Sequence, residues 1–459
     1  MAKKSSMDLT EGNIAKQIIL FALPILLGQV FQNLYNSVDS IVVGNFVSTT
    51  ALAAVTSSAD ISRLLVGFFT GLSAGSGVLF ARYFGAHDDK KLHDSIHTAL
   101  LFALVLGVLM AGVGILITPL LLRLVDCPAD VWGESVVYLR IYFVGVLFTS
   151  LYNVASGVLR AVGDSQHPFY YLVIASCTNI VLDLLFVAVF QMGVAGTAIA
   201  TIISQLLSVF LAVRQMLTTN DVYKLVPKDL KIDGAILKEV LVLGLPAAIQ
   251  SGLISLSNLF VQRYINGFGS AAMAGTGAAK KIDSYVGMVA QSLGLAVPTF
   301  ISQNIGAQKP QRAFRGLWTV VALGFGTIAI LGPIIFFNSQ FFVQLFTRDP
   351  AAVAFGMGMI RVMLPLYGLQ TLFQVFSNAV RGFGKSIVTM FTSIGGLIVC
   401  RQIFLAYSMS VNPVIDNVFW GYPVGWGCAA GMSILYYLFA IRLPYRKREG
   451  AVSSADRLE

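Results

Sequence analysis

The sequence predicts an all-α integral membrane protein, with twelve transmembrane helices forming two pseudo-symmetric six-helix bundles. Three observations predict it. The chain is 56% hydrophobic and only 12% charged, whereas soluble domains carry about 25% charged residues. Apolar runs of roughly 20 residues, enough to cross a bilayer, recur along the whole chain. The second half also repeats landmarks of the first at a separation near 221 residues.

The apolar runs centre near Leu26, Val66, Leu106, Leu147, Leu182 and Ser204, then near Ser251, Ala290, Gly324, Gly368, Gly395 and Leu435. Gly and Pro occur inside them, as membrane helices tolerate. A barrel would show alternating segments of about 10 residues, and these runs are longer and do not alternate. Lys3 and Lys4 are followed by polar and acidic residues without a small-residue cleavage site, so no cleavable leader is expected. Leu458-Glu459 reads as a cloning remnant. The only long polar stretch between spans divides the chain. Residues 1–13 are expected to form a tail, 14–217 an N-lobe, 218–238 a linker, 239–443 a C-lobe and 444–459 a second tail.

Most of the 31 basic residues fall at the N-terminus, in 82–91, at Arg160, in 214–238, 309–315 and 381–385, and in the tail from Arg442. The opposite loops hold Arg123, Arg263 and Arg348. The positive-inside rule then places both termini in the cytoplasm of a multi-pass protein of the inner or plasma membrane. The net charge of +9 follows from that topology, and no nucleic-acid partner is expected. Cys127, Cys177, Cys400 and Cys428 are scattered, which indicates neither a disulfide framework nor a metal site. His93 and His97 have a metal-ligand spacing, but they lie in a basic loop and no metal is expected. There is no HExxH, GxSxG or Cys/His cluster, so neither an enzyme nor a cofactor is expected.

The halves match in detail. Leu23-Pro24 returns as Leu245-Pro246, and Phe84-Gly85-Ala86 as Ile305-Gly306-Ala307. Leu139-Arg140 returns as Ile360-Arg361, and Leu159-Arg160-Ala-Val-Gly163 as Val380-Arg381-Gly-Phe-Gly384. A six-span repeat keeps one orientation in both copies. The predicted symmetry axis therefore lies along the membrane normal, with a site between the halves.

Two carboxylates lie in this apolar setting. Asn179 and Asp183 are one helical turn apart and share a face. Asp39 has Tyr35 and Asn36 on neighbouring turns. An ionisable group at membrane depth is costly, and is read first as functional. Two such carboxylates could hold a proton and release it when water enters, because burial and mutual repulsion disfavour charge. With amide and hydroxyl oxygens they could instead chelate a small hard cation such as sodium, which prefers oxygen ligands as other hard cations do.

In order and spacing, these marks resemble the multidrug and toxic compound extrusion (MATE) family over essentially the whole chain. They are Leu23-Pro24, Val38-Asp39, Gly85-Ala86, Leu159-Arg160-Ala-Val-Gly163, Asn179-Ile-Val-Leu-Asp183 and Gly193-Val-Ala-Gly-Thr-Ala-Ile-Ala-Thr201. The resemblance implies export of amphipathic, often cationic organic compounds in exchange for H+ or Na+, by alternating access of two lobes. It implies a cation cluster in the N-lobe of Asp39, Asn179, Asp183 and Thr201, with Tyr35 beside it and Asn153 nearby. The stretches 250–258 and 370–378 carry no Asp or Glu, unlike the NorM-like branch, so the chain looks closer to the DinF-like branch. A lipid-linked oligosaccharide flippase of the same superfamily is the alternative, and the expected scarcity of Arg and Lys in the central cavity weighs against it.

Pro24 removes one backbone hydrogen bond from the first span, so a bend is expected there, either as a switch or as a fixed kink. Arg401, mid-span, is expected to be structural, paired with backbone carbonyls or a lipid headgroup. The expected partners are small amphipathic or cationic organic substrates and the bilayer, with the chain acting as a monomer.

Overall fold

The computed structural model describes residues 7–47, 49–124 and 127–446. Among these residues there is no strand, and twelve helices are long and apolar enough to cross a membrane. The first four are α1 (Ile14–Phe46), α2 (Thr49–Gly85), α3 (Asp89–Leu124) and α4 (Trp132–Ala161). Next come α5 (Gln166–Val189), α6 (Gly193–Thr218), α7 (Gly234–Asn266) and α8 (Ser270–Gly306). The last four are α9 (Pro310–Phe337), α10 (Pro350–Gly382), α11 (Ser386–Val411) and α12 (Ile415–Arg446). Each expected centre lies within its helix. α1 stays helical through Pro24. Three helices contain a π-helical turn: Leu184–Val189 in α5, Gly395–Cys400 in α11 and Tyr437–Arg442 in α12.

The chain forms two compact units, Met1–Gly252 with Thr299–Ala313, and Leu253–Pro298 with Phe314–Glu459. The core of the first unit is built from one end of α2, α3 and α4. Phe80, Ala81, Leu92, Ile96, Val158 and Leu159 are among its buried members. The linker docks on this core through Tyr223 and Leu225. His97, fully buried, fastens it: Nε2 accepts from the Val226 N–H at 3.0 Å, and Nδ1 donates to the His93 carbonyl at 2.7 Å. Both ring nitrogens are thus committed to backbone groups, which gives His97 a structural role. The second unit packs Met363, Tyr367, Phe373, Leu397, Phe419 and Trp426 together.

The repeat is built into the helix ends. After α4, the Gly163 N–H bonds the Arg160 carbonyl at 3.0 Å and the Asp164 N–H bonds Leu159 at 2.8 Å. After α10, Gly384 bonds Arg381 at 2.7 Å and Lys385 bonds Val380 at 3.1 Å. Both glycines have positive φ, 87° and 82°. This is the Schellman closure, which satisfies carbonyls left open at a helix end. The same pair of bonds closes α2 at His87 and Asp88, and α8 at Gln308 and Lys309.

Close helix crossings in the first unit depend on glycine. A Cβ on Gly71 would meet the backbone of Ala247 and Ala248, and one on Gly75 would meet Leu243 and Gly244. A Cβ on Gly85 would meet the backbone of Gln303, and one on Gly306 the carbonyl of Arg82. Small residues let membrane helices approach closely where apolar burial supplies little driving force.

The start of the chain is pinned to the same region. Leu9, 1% exposed, donates its N–H to Gln303 Oε1 at 3.0 Å, and its carbonyl accepts from Asn304 and Arg312, each at 3.2 Å. Arg312 also donates to the carbonyls of Glu11 and Gly12. Gln303 turns its amide to the Ala161 carbonyl at 2.7 Å.

Gly163→Ala is expected to lower thermal stability. It places a Cβ in the left-handed region, at about 1 kcal/mol or more, and against the Met7 backbone. Thermal unfolding of the purified variant checks it, and an unchanged unfolding temperature would contradict it.

Candidate functional site

The polar residues of the first unit lie on packed helices. α1 packs on α5, α5 on α6, and α1 also touches α6. Tyr35 is half-buried on α1, Asn179 and Asp183 are on α5, and Thr201 is on α6. Asp39 is also on α1, but its side chain lies outside the described residues. Asn179 and Asp183 are 1% and 0% exposed. The helix continues past Asp183 into the π-helical turn, a local widening often found at functional positions. A Cβ on Gly196 would stand 3.0 Å from the Phe186 side chain, so the start of α6 sits directly against that turn.

Asn179 is the exceptional member. Both polar atoms of its buried amide lack a hydrogen-bond partner among the described residues. Leaving a buried polar group unbonded costs about 1–3 kcal/mol. The hydroxyl of Thr197, on α6 and 2% exposed, is also without a partner. Thr201 donates to the Thr197 carbonyl at 3.0 Å, an internal helix bond that leaves the Thr201 oxygen's acceptor capacity available. Asn179, Asp183, Thr197 and Thr201 carry side-chain oxygens, the ligand type that hard cations prefer. Thr197 was not singled out from the sequence; it is the residue one turn before Thr201 in the Gly193–Thr201 stretch.

Asn153 is held differently. Its amide donates to the Thr149 carbonyl at 2.8 Å, and its oxygen accepts from Thr70 on α2 at 3.4 Å. The α2 residue Ser73 donates to its carbonyl at 2.5 Å. These bonds tie Asn153 to its own helix and to α2.

The second unit holds polar groups that the sequence reading passed over. Asp283 on α8 accepts a short hydrogen bond from the Tyr367 hydroxyl on α10. One turn earlier, Lys280 Nζ donates to Gln262 Oε1 at 2.6 Å. Arg401, 3% exposed, donates to Ser257 Oγ at 2.5 Å and Asn258 Oδ1 at 3.0 Å. Arg401 is thus bonded to side chains of α7. No group of three or more His, Cys, Asp or Glu able to hold a metal ion occurs among the described residues.

Residues 24–185 and 246–407 both match the MatE family. The chain is similar to the probable multidrug resistance protein YoeA of Bacillus subtilis, 32% identical over 447 residues, covering 94% of this chain and 95% of that one. It is also similar to YpnP of the same organism, a probable multidrug resistance protein, 30% identical with 96% of each chain covered. Among solved structures, an outward-facing multidrug resistance MATE transporter of the MOP superfamily superposes with a TM-score of 0.90. That structure is 22% identical and the match covers 97% of this chain and 100% of that one.

Replacing Asn179 by Leu removes a desolvated amide at little change in volume. The variant is expected to keep or raise thermal stability, by at most about 1–3 kcal/mol, while transport falls. A clear drop in the unfolding temperature would show that the amide is structurally bonded.

Proposed function

The chain belongs to the MatE family, a multi-pass membrane transporter and not an enzyme, and on that premise we propose that it is a secondary antiporter exporting amphipathic, often cationic organic compounds. The exchanged ion is H+ or Na+, taken at Asp39 and Asp183 with Asn179 and Thr201 in support and Tyr35 and Asn153 nearby. The observation that carries this reading is the buried, unbonded amide of Asn179 one turn from the buried Asp183. A structural network would satisfy that amide; an ion or proton carrier alternates between filled and empty. The multidrug relatives support organic compounds as the cargo.

In the proposed cycle, outward-open protein takes up the ion and releases its cargo. It then turns inward-open, loses the ion and rebinds cargo. Each ligand must favour a different state for the exchange to be coupled. The N-lobe (14–217) and C-lobe (239–443) move as the alternating bodies, with both tails cytoplasmic and one copy sufficient. Pro24 supplies the pliable point of α1, because it cannot donate to the carbonyl one turn back. A second reading, a flippase for lipid-linked oligosaccharides, gains from Lys280 and Arg401 inside the second unit.

Rhodamine 6G efflux from proteoliposomes, with proton and sodium gradients imposed separately, tests the antiport cycle. One gradient is expected to drive efflux. Asp39→Asn and Asp183→Asn are each expected to reduce it about tenfold, within the range of ordinary coupling energies. Wild-type gradient dependence in both variants would overturn the coupling assignment. Unchanged efflux by Pro24→Ala would remove the switching role of α1.

A further inference from the structure

Within the second unit, five helices bring a charged and aromatic cluster together. α7 contributes Ser257, Asn258 and Gln262; α8 contributes Lys280 and Asp283; α10, α11 and α12 contribute Tyr367, Arg401 and Tyr422 with Trp426. Lys280 lies within electrostatic range of both Asp283 and Arg401. The cluster therefore holds two cations and one carboxylate. The hydrogen bonds of both cations go to neutral oxygens, those of Gln262, Ser257 and Asn258. Asp283 accepts from Tyr367 through one carboxylate oxygen and lies one turn from Lys280, so its charge offsets one of the two cations. Arg401 Nε, fully enclosed, has no hydrogen-bond partner among the described residues.

A buried guanidinium without a counter-charge is costly, and that cost is repaid only by an anion or by dense hydrogen bonding. Here the hydrogen bonding is incomplete and positive charge is in excess. Aromatic rings pack against the cluster. Tyr367 and Trp426 stand 5.8 Å apart edge to face, Tyr422 and Trp426 6.2 Å apart, and the Arg401 guanidinium is 5.6 Å from the Tyr422 ring.

We propose that the second unit holds a binding site for the anionic group of an aromatic amphiphile, a carboxylate, phosphate or sulfonate. Arg401 and Lys280 anchor the anion, and Tyr422, half-buried beside the Arg401 guanidinium, meets the ring system. Lys280 is the adaptable anchor, since it is half-buried and its single given bond to Gln262 is exchangeable. Arg401 is the fixed one. The site extends the exporter reading to cargo that carries an acid, yet it is separable from that reading by direct binding.

The test uses the full chain in phosphatidylcholine nanodiscs and two xanthene dyes of opposite charge, fluorescein and rhodamine 6G, with binding read by fluorescence anisotropy. Fluorescein is expected to bind, and to lose about tenfold in affinity in Lys280→Gln and in Arg401→Gln, about 1.4 kcal/mol. Rhodamine 6G affinity is expected to change less than about twofold. Lys280→Gln decides the matter if Arg401→Gln does not fold. Adding phosphatidylglycerol to the discs, with retained lipid read by native mass spectrometry, separates the sources of the anion. Displacement of fluorescein through Lys280 assigns the site to a lipid headgroup, and persistence assigns it to a soluble acid. The proposal is overturned if neither fluorescein nor phosphatidylglycerol binds in a Lys280-dependent way. Loss of rhodamine 6G efflux with this binding intact would remove the antiport cycle and leave the anion site standing.

Discussion

A polypeptide in hydrocarbon has no water to bond its backbone, and most of this structure answers that constraint. Every long apolar run is helical, and where the helices end the open carbonyls are closed by their own following residues. The four Schellman closures after α2, α4, α8 and α10 are the clearest case. They require left-handed residues, supplied by Gly163 and Gly384 and, at higher cost, by His87 and Gln308. The glycines at the crossings of α2 answer a related need, since helices in lipid are held by close contact rather than by escape from water.

The same constraint gives meaning to the polar groups left inside. Ionisable side chains at this depth are tolerated where they serve a purpose, and the two units hold opposite kinds. The first holds Asp183 beside an unbonded amide; the second holds Arg401 and Lys280 against one carboxylate already engaged by a tyrosine. Neither arrangement is what stability alone would select, because apolar side chains of the same size would pack without the desolvation cost.

The fold was legible because hydrophobic run length and Lys/Arg bias act over many residues. The twelve spans, the repeat and its cap motifs all rest on such patterns. Asn179 and Asp183 were legible because they break an apolar segment at helical spacing. Asp283 was not. It follows Lys280-Lys281 in a run that reads as the polar end of a span, and its partner Tyr367 is 84 positions away. The partners of Arg401 were hidden for a similar reason, since Ser257 and Asn258 come from another helix. The π-helical turns escaped as well. A turn widened by one residue has no composition of its own. Thr197 was overshadowed by Thr201, although its hydroxyl is the more deeply buried.

The crossing of α2 and α8 is reciprocal. Gly85 lies against the backbone of Gln303, and Gly306 lies against Arg82. These four residues are two pairs of repeat partners, so the contact maps onto itself when the halves are exchanged. That is the signature of an isologous interface, in which one patch meets its own copy. The contact thus has the form of a homodimer seam held within one polypeptide. Away from that seam the halves are free to differ, one burying an amide one turn from a carboxylate at Asn179 and Asp183, the other burying a guanidinium at Arg401.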